Sequence, residues 1–343
     1  MLFGHGDDYF ISGKEITANF SSNVWYGANL DSLKEHLFSV FTSLSRYPEP
    51  DAASLKHMLA DVYGVNSSNI LVTNGSITAF YMLAQTWKGE NSTILIPSFA
   101  EYEDACKLYE HNITYVENSK PLKSLDLHNQ KLCWICNPNN PDGHLWNKTS
   151  IERLIESNPE TLFVLDQAYS EFVRAEMISP SDINRHKNLI LVRSISKVHK
   201  IPGLRIGYIV ASEEIIYKVS HFIIPWSVNS IAIEAGKYVL SNPGLFEMPL
   251  ASWKRDTDIL MRKLSEIEDI EVMPSTTTFF LVRLKKGKSS DLKKFLVEKY
   301  GLLIRDASNF RGLTDAHFRI SAQQPEYNDL LVVAIKDWLG QIR

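Results

Sequence analysis

The chain has 343 residues, of which 44% are hydrophobic and 22% charged, a composition typical of a globular protein with one large core and a smaller companion domain. Its formal net charge of -4 at pH 7 gives no general attraction to nucleic acid or to an anionic membrane, so neither is expected as a partner. No apolar run approaches the roughly 18 residues of a membrane span, and no basic region followed by an apolar stretch opens the chain, so we expect a cytoplasmic protein.

Six short apolar runs rich in β-branched and aromatic residues predict β-strands in the first two thirds of the chain. In chain order they are 70–73, 93–97, 131–136, 161–166, 188–194 and 205–211. Segments with the apolar spacing of helices lie between most of them, such as 76–87 and 151–157. This alternation predicts crossover connections, and therefore a mainly parallel sheet with helices on both faces. We assign residues 46–235 to this large α/β domain.

After residue 240 the pattern changes to a mixture of helices and strands. Helices are predicted at 250–268, 290–299 and 326–339, and strands at 277–284, 302–306 and 317–322. Such a mixture is typical of a smaller α+β domain, which we assign to residues 236–343. Residues 1–45 are too few to fold alone, and we expect them to pack on this smaller domain.

Cys133 and Cys136 have the C-x-x-C spacing of redox and metal sites. They lie in a predicted buried strand, however, and no second Cys or His pair at ligand spacing follows them. We interpret them as core residues and expect no metal site.

Polar segments follow four of the predicted strands. They are TNGS at 73–76, NPNNPDG at 137–143, DQAY at 166–169 and SISK at 194–197. Because ligands of open α/β sheets bind beyond the carboxyl ends of the strands, we expect these segments to meet at one edge. Each alone is explained by a turn, a helix cap or a solvated charge. Four of them in this chain order favour a common site.

Pyridoxal phosphate catalysis uses such a set of groups. Lys197 would form a Schiff base with the cofactor aldehyde and later act as acid and base, while Asp166 would face the pyridinium nitrogen and keep it protonated. The cofactor phosphate requires a helix N-terminus and charge-assisted donors. The expected donors are the backbone amides of Gly75, Ser76 and Ile77 and the side chains of Ser194, Ser196 and Arg205.

The stretch SISKVHKIPGLRIGY at 194–208 places two hydroxyls before the lysine and an arginine after a Pro-Gly pair. Gly203 is expected to permit a tight turn, and Pro202 to stiffen it. The turn would bring Arg205 back toward the phosphate.

Four motifs carry a resemblance to a known family. They are S-x-S-K-x(4)-P-G-L-R-I-G-Y from residue 194, NPNNP-x-G from 137, D-x-A-Y from 166 and RYPEP at 46–50. They resemble the fold-type I enzymes of aminotransferase class I/II, in the branch that holds histidinol-phosphate aminotransferase and L-threonine-O-3-phosphate decarboxylase. The resemblance covers nearly the whole chain. It implies pyridoxal 5'-phosphate as cofactor and a homodimer with its active sites at the subunit interface.

The resemblance also implies roles for single residues. Asn140 and Tyr169 would bond the phenolic oxygen of the cofactor, and Tyr169 would belong to the catalytic set with Lys197 and Asp166. Phe99 would stack on the cofactor ring. Tyr47 would reach the cofactor phosphate of the other subunit.

The substrate-binding segments are more similar to those of the decarboxylase. GHGDD at 4–8 and NFSSNV at 19–24 imply substrate contacts, as does Asn140. The residues implied in these two segments are His5, Gly6 and Asn23. Of Arg305 and Arg319, one would bind the substrate phosphate and the other its carboxylate, anions that guanidinium groups bind bidentately. The implied reaction is decarboxylation of L-threonine O-3-phosphate to (R)-1-amino-2-propanol O-2-phosphate, in cobalamin biosynthesis.

Three other functions were weighed against decarboxylation, two from the same family and one from another class of enzyme. The nearest is an aminotransferase of the histidinol-phosphate type. A non-catalytic cofactor-binding module attached to a DNA-binding region is disfavoured, because Lys197 is present and the predicted elements leave no helix-turn-helix. A dehydrogenase is disfavoured because no G-x-G-x-x-G follows the first strand.

Three positions depart from the family pattern. Gln167 replaces a usual Glu and would alter the charge near Asp166, and Asp142 replaces the Thr of N-P-T-G. Gln323 lies near the place of a second arginine that is common in the decarboxylase. The last departure bears on the substrate and not on the cofactor.

Overall fold

The computed structural model of the chain describes residues 6–8 and 13–342. Its strands are β1 Ala18–Asn19, β2 Ile70–Thr73, β3 Asn91–Ile96, β4 Asn112–Glu117, β5 Leu132–Cys136, β6 Leu162–Asp166, β7 Leu189–Ser194, β8 Gly207–Ala211, β9 Ile270–Val272, β10 Phe279–Leu284, β11 Leu302–Leu303, β12 Arg305–Asp306 and β13 His317–Ser321. Its helices are α1 Asp31–Ser39, α2 Ala53–Tyr63, α3 Gly75–Thr86, α4 Glu101–Leu108, α5 Lys148–Ser157, α6 Glu213–Ser220, α7 Ser230–Ser241, α8 Leu250–Ser265, α9 Ser289–Tyr300 and α10 Pro325–Gln341.

The large sheet has the strand order β2-β8-β7-β6-β5-β3-β4, and β8 runs in the direction opposite to the other six strands. Apolar side chains of α2, α5 and α7 cover one face, and those of α3, α4 and α6 cover the other. Because both faces are covered, the central strands are apolar throughout and are easily recognised in the sequence. The predicted α/β fold with a mainly parallel sheet between helices is confirmed.

Two strands differ from the sequence prediction. The edge strand β4 was not predicted, because its residues alternate between exposed and half-buried and form no apolar run. The strand predicted from residue 205 begins at Gly207, because Arg205 has a left-handed backbone (φ 58°) that a strand does not accommodate.

A smaller antiparallel sheet has the order β12-β13-β10-β9. Helices α8, α9 and α10 pack on it, and Phe20 lies in the same apolar cluster. Strand β1 pairs in parallel with β11, and Gly6 lies against Arg305 of β12. Leu33 of α1 and Val239 of α7 pack instead in the cluster on the large sheet. The division into residues 46–235 and residues 1–45 with 236–343 stays a prediction.

No helix within residues 6–8 and 13–342 combines the length and the apolarity that crossing a membrane requires. Cys133 and Cys136 are both fully buried residues of β5 with free thiols, in agreement with their interpretation as core residues.

Candidate active site

A cavity of about 310 Å³ lies at the carboxyl ends of β6 and β7, between the large sheet and the smaller one. Most of the residues expected at a site line it. They are Gly6, Asn23, Ser76, Ile77, Phe99, Asn140, Asp166, Tyr169, Ser194, Ser196, Lys197, Arg205, Arg305 and Arg319. The structure therefore brings together segments that lie up to about three hundred residues apart in the sequence, as the strand-end argument predicts.

Two of the expected residues that the structure describes do not line the cavity. Gly75 is next to the cavity wall, where its Cα faces the guanidinium of Arg205. Tyr47 lies on the outer surface with 84% of its side chain exposed, and its ring centroid is 5.3 Å from that of Trp226. His5 falls outside the described residues.

The start of α3 forms an anion cradle. Asn74 makes no side-chain hydrogen bond to the first turn, so the amides of that turn remain available to a ligand. A Cβ placed on Gly75 would overlap the Arg205 guanidinium, and one placed on Gly207 would overlap the backbone nitrogen of Ser76. The two glycines thus allow β8 and Arg205 to lie directly against the helix N-terminus.

Two hydroxyls complete this cradle, since the Ser194 and Ser196 oxygens are 2.8 Å apart at the end of β7. A helix N-terminus, a guanidinium and two hydroxyls are the donors that a phosphate dianion requires. The cradle fits the phosphate of pyridoxal phosphate.

The turn before Arg205 differs from the expectation. Residues 202–204 form a short 3-10 turn, and Gly203 has no positive φ and no neighbour within 4 Å of an added Cβ. The left-handed residues are Lys200 and Arg205 themselves, and Arg205 Nη1 closes the turn by donating to the Pro202 carbonyl at 2.9 Å. The expectation that Gly203 permits the reversal is wrong, because Arg205 makes the reversal with its own backbone.

Asp166 is a buried carboxylate at the end of β6. Its Oδ1 accepts a hydrogen bond from the Ala168 amide at 2.9 Å, and its Oδ2 accepts one from the Tyr102 hydroxyl. Burial raises the pKa of Asp166 from 3.8 to about 6, although Tyr102, Ala168 and Lys197 act in the opposite direction. A cation placed against a buried carboxylate with a raised pKa stabilises its ionised form. The protonated ring nitrogen of the cofactor would be such a cation.

Lys197 is buried in the same cavity. Burial, together with the charges of Arg205 and Arg319, lowers the pKa of its amine from 10.5 to about 8, while Asp7 and Asp166 oppose the shift. A larger fraction of neutral amine is therefore present near neutral pH than for an exposed lysine. Neutral amine is the form that attacks an aldehyde.

Two buried arginines face the cavity from the smaller sheet. Arg319 of β13 donates to Asn140 Oδ1 and to the Ser21 carbonyl, the latter at 2.6 Å. Arg305 of β12 donates to Asn309 Oδ1 at 2.7 Å. Burial lowers the pKa of each guanidinium to about 10, so both remain cationic at neutral pH. Two fixed cations suit a substrate with two anionic groups.

Asn23 lines the cavity with only 4% of its surface exposed. Among the described residues, no group meets hydrogen-bond geometry with either atom of its amide or with Nε of Arg319, although the Asn23 amide lies close enough to Tyr169 to oppose the rise that burial gives the pKa of that hydroxyl. A buried polar group without a partner costs roughly 1–3 kcal/mol. Polar groups of a ligand at this position would remove that cost, in line with the substrate contact expected of Asn23.

At the three positions that depart from the family pattern, each side chain forms hydrogen bonds with other groups of the chain. The Gln167 amide donates to the Ile178 carbonyl at 2.7 Å, and its effect on the charge near Asp166 stays a prediction. Asp142 accepts hydrogen bonds from the side chain of Asn139 and the backbone of His144. Gln323 donates to neighbouring backbone carbonyls.

Several lining residues were not predicted. They are Asp7, Ser21, Ser22, Val24, Ala168, Pro202 and Phe310. Tyr102, the partner of Asp166, was also missed, although it stands three residues after Phe99 in PSFAEY. That spacing was the available signal for Tyr102. Phe310 had none, because it lies in a loop without apolar periodicity.

Comparisons with known proteins identify the family of the chain. The model of the family "Aminotransferase class I and II" matches residues 15–335. The crystal structure of L-threonine-O-3-phosphate decarboxylase from Porphyromonas gingivalis is 47% identical, covers 94% of this chain and 99% of that one, and superposes with a TM-score of 0.93.

Two curated relatives represent both reactions of the branch. Histidinol-phosphate aminotransferase of Thermoanaerobacter pseudethanolicus is 34% identical over 85% of this chain and 84% of its own length. The adenosylcobalamin biosynthesis bifunctional protein CobDQ of Leptospira interrogans is 26% identical over 97% of this chain and 41% of its own length.

The expected family and cofactor are both confirmed, since the family match spans nearly the whole chain and members of this family are pyridoxal phosphate-dependent. The reaction is that of a decarboxylase or a transaminase. The chain belongs to the aminotransferase class I and II family of enzymes, whose cofactor is pyridoxal 5'-phosphate.

Proposed function

We propose that the protein decarboxylates L-threonine O-3-phosphate to (R)-1-amino-2-propanol O-2-phosphate, a step of cobalamin biosynthesis. The observation that carries the proposal is the 47% identity, over 94% of the chain, to a threonine-phosphate decarboxylase. The relative that acts in adenosylcobalamin biosynthesis supports the same assignment. A cytoplasmic location belongs to the proposal.

The substrate would be held by both of its anionic groups. We assign its carboxylate to Arg319, which is bonded to Asn140 beside the cofactor site. We assign its phosphate to Arg305, which lies against the amino-terminal segment: a Cβ on Gly6 would be 2.9 Å from Arg305 Cδ. Asn23 provides a further polar contact between them.

Bound pyridoxal phosphate supplies an acceptor for the electron pair that a broken bond leaves at Cα. The bond that breaks is the one held perpendicular to the cofactor ring, so the two arginines select the reaction by fixing how the substrate is rotated about Cα. In the proposed reaction the bond from Cα to the carboxyl carbon breaks, and carbon dioxide leaves. A proton is then added at Cα. The Lys197 amine, whose pKa is about 8, is suited to hold and deliver it, directly or through water.

A second candidate is transamination of the histidinol-phosphate type, because a curated aminotransferase of that kind is 34% identical over 85% of the chain. In that reaction the bond from Cα to hydrogen breaks, and the amino group is passed to a 2-oxo acid. The cofactor-binding residues would keep the same roles.

We also propose a homodimer that shares its active sites. Large apolar side chains are exposed in two segments whose Tyr47 and Trp226 rings lie 5.3 Å apart, and we treat the surface of both segments as one face; its members are Phe38, Phe41, Leu44, Tyr47, Ile224 and Trp226. Exposed apolar patches of this kind mark interaction surfaces. The notch beside α1 is lined almost entirely by apolar residues, among them Leu37, Phe38 and Phe41. A second copy would cover this face and place Tyr47 near the neighbouring cofactor.

The test supplies the purified holoenzyme with L-threonine O-3-phosphate in the absence of any 2-oxo acid. We expect carbon dioxide and aminopropanol phosphate in equal amounts, and none from Lys197→Ala. Product that forms only after 2-oxoglutarate is added, or only from histidinol phosphate, would replace the decarboxylase assignment by the transaminase.

A further inference from the structure

A bidentate ion pair joins the loop after β12 to helix α4. Arg311 donates from Nε to Glu103 Oε2 at 2.6 Å and from Nη2 to Oε1 at 2.5 Å. The guanidinium also lies over the ring of Tyr115, 4.2 Å from its centroid. Both partners of a fork-to-fork pair are fixed in direction as well as in distance. The pair therefore defines where the loop sits relative to α4.

The loop that Arg311 anchors is the one that holds Arg305. Arg305 donates to the Asp306 carbonyl and to Asn309 Oδ1, and its guanidinium lies 5.2 Å from the ring centroid of Phe310. Phe310 lines the cavity directly. Asp306, Asn309 and Phe310 thus contact the guanidinium on its loop side, and Arg311 is the next residue along the chain.

Helix α4 belongs to the cofactor side of the cavity. Phe99, just before α4, lines the cavity, and Tyr102 in the first turn donates to Asp166. Glu103 is the next residue, and its side chain is only 15% exposed. The hydrogen bond from Arg311 is the main cause that lowers the pKa of Glu103 to about 2, so this carboxylate is ionised at any working pH.

We propose that the Arg311–Glu103 pair is a latch that positions the substrate-binding arginine, Arg305, relative to the cofactor side of the cavity. This inference rests on the proposed assignment of Arg305 to the substrate phosphate. Both members are positioning residues, since neither lines the cavity. The Arg311 side chain is 44% exposed, so solvent screens the pair and its effect is moderate.

The test compares Glu103→Gln, Arg311→Met and the double variant with the wild-type holoenzyme. The matched control is Lys107→Met, because Lys107 also pairs with Glu103 but lies four residues later on α4 and joins nothing across the cavity. Four quantities are measured: KM and kcat with L-threonine O-3-phosphate, the Kd of inorganic phosphate by calorimetry, and Tm.

For both single variants we expect KM and phosphate Kd to rise about three- to fivefold, the effect of an ion pair worth up to about 1 kcal/mol. The visible absorbance of the cofactor and kcat should stay unchanged. The double variant should be no worse than either single one, because the pair acts as a unit. Lys107→Met should match the wild type in KM and in phosphate Kd.

A phosphate Kd that is unaltered in Arg311→Met would overturn the latch, and so would additive losses in the double variant or an equal loss in Lys107→Met. A wild-type holoenzyme without saturable phosphate binding would overturn it too. A lowered Tm with unchanged phosphate Kd would show a merely structural pair. Failure of the wild type to release carbon dioxide would remove the decarboxylase assignment alone, since the phosphate titration still tests the latch.

Discussion

The hydroxyl of Tyr102 donates a hydrogen bond to the carboxylate of Asp166, and both side chains are buried. This bond stabilises the ionised carboxylate, whose pKa burial raises to about 6. In Tyr102→Phe the pKa of Asp166 should rise further, so the acid limb of the activity profile moves to higher pH. We expect kcat to fall about tenfold, the effect of one hydrogen bond to a charged group, while KM changes little.

The control for this variant is Tyr81→Phe. Tyr81 donates to Glu101 Oε2 at 2.8 Å, so the substitution also removes a tyrosine-to-carboxylate hydrogen bond, but neither residue lines the cavity. Its pH profile should match that of the wild type. Identical acid limbs in Tyr102→Phe and the wild type would show that Tyr102 does not act on Asp166.

The lowered pKa of Lys197 predicts how the cofactor attaches. Only the neutral amine reacts with the aldehyde, so the rate of attachment to apoprotein should increase with pH around a midpoint near 8, and not near the 10.5 of an ordinary lysine. In Lys197→Ala the visible absorbance of the attached cofactor should disappear, while the circular dichroism of the fold remains. A visible spectrum unchanged by this substitution would remove Lys197 from the Schiff base.

Substitution of Arg319 should mainly weaken substrate binding, whereas substitution of Arg205 should mainly weaken cofactor binding. Arg319→Ala is expected to raise KM at least about tenfold, the loss of a charge-assisted hydrogen bond to an anion, with a smaller change in the Kd of the cofactor. Arg205→Gln should raise the Kd of the cofactor with a smaller change in KM, because the Arg205 guanidinium lies at the anion cradle of α3. Both quantities follow from substrate titrations and from dialysis of the holoenzyme. Equal losses of both in Arg319→Ala would contradict its placement on the substrate.

The exposed apolar face predicts the oligomeric state. Phe41 is 58% exposed on that face, so Phe41→Glu places a charge where a second copy would bury it. Sedimentation should show a dimer for the wild type and a monomer for the variant. Tyr217→Glu, at a residue that is 66% exposed but lies on α6, should leave the dimer intact. A wild-type protein that sediments as a monomer would contradict the shared active site.

The sequence predicted the parts of the site that depend on strand order. Asp166 and Lys197 follow buried strands whose apolar runs are unmistakable, and parallel strands must end at one edge. Residues positioned by loops were harder to foresee. Phe310 reaches the cavity because the loop after β12 folds over it, and no local periodicity records such a path.

Backbone detail was also beyond the sequence. The reversal at Arg205 was expected at Gly203, because glycine is the usual residue for a left-handed conformation. The arginine adopts that conformation itself, held by its own hydrogen bond to the Pro202 carbonyl. The pairing of Glu103 with Arg311 spans more than two hundred residues, and only the folded chain shows it.

The fate of the hydrogen at Cα tests the proposed reaction most directly. The measurement uses L-threonine O-3-phosphate that carries deuterium at Cα and ¹³C in its carboxyl group, with holoenzyme and no 2-oxo acid. Decarboxylation predicts labelled carbon dioxide and an aminopropanol phosphate that keeps the deuterium and gains one hydrogen from solvent. Loss of the deuterium with retention of the labelled carboxyl group would contradict the account, because it would show that the enzyme breaks the bond from Cα to hydrogen.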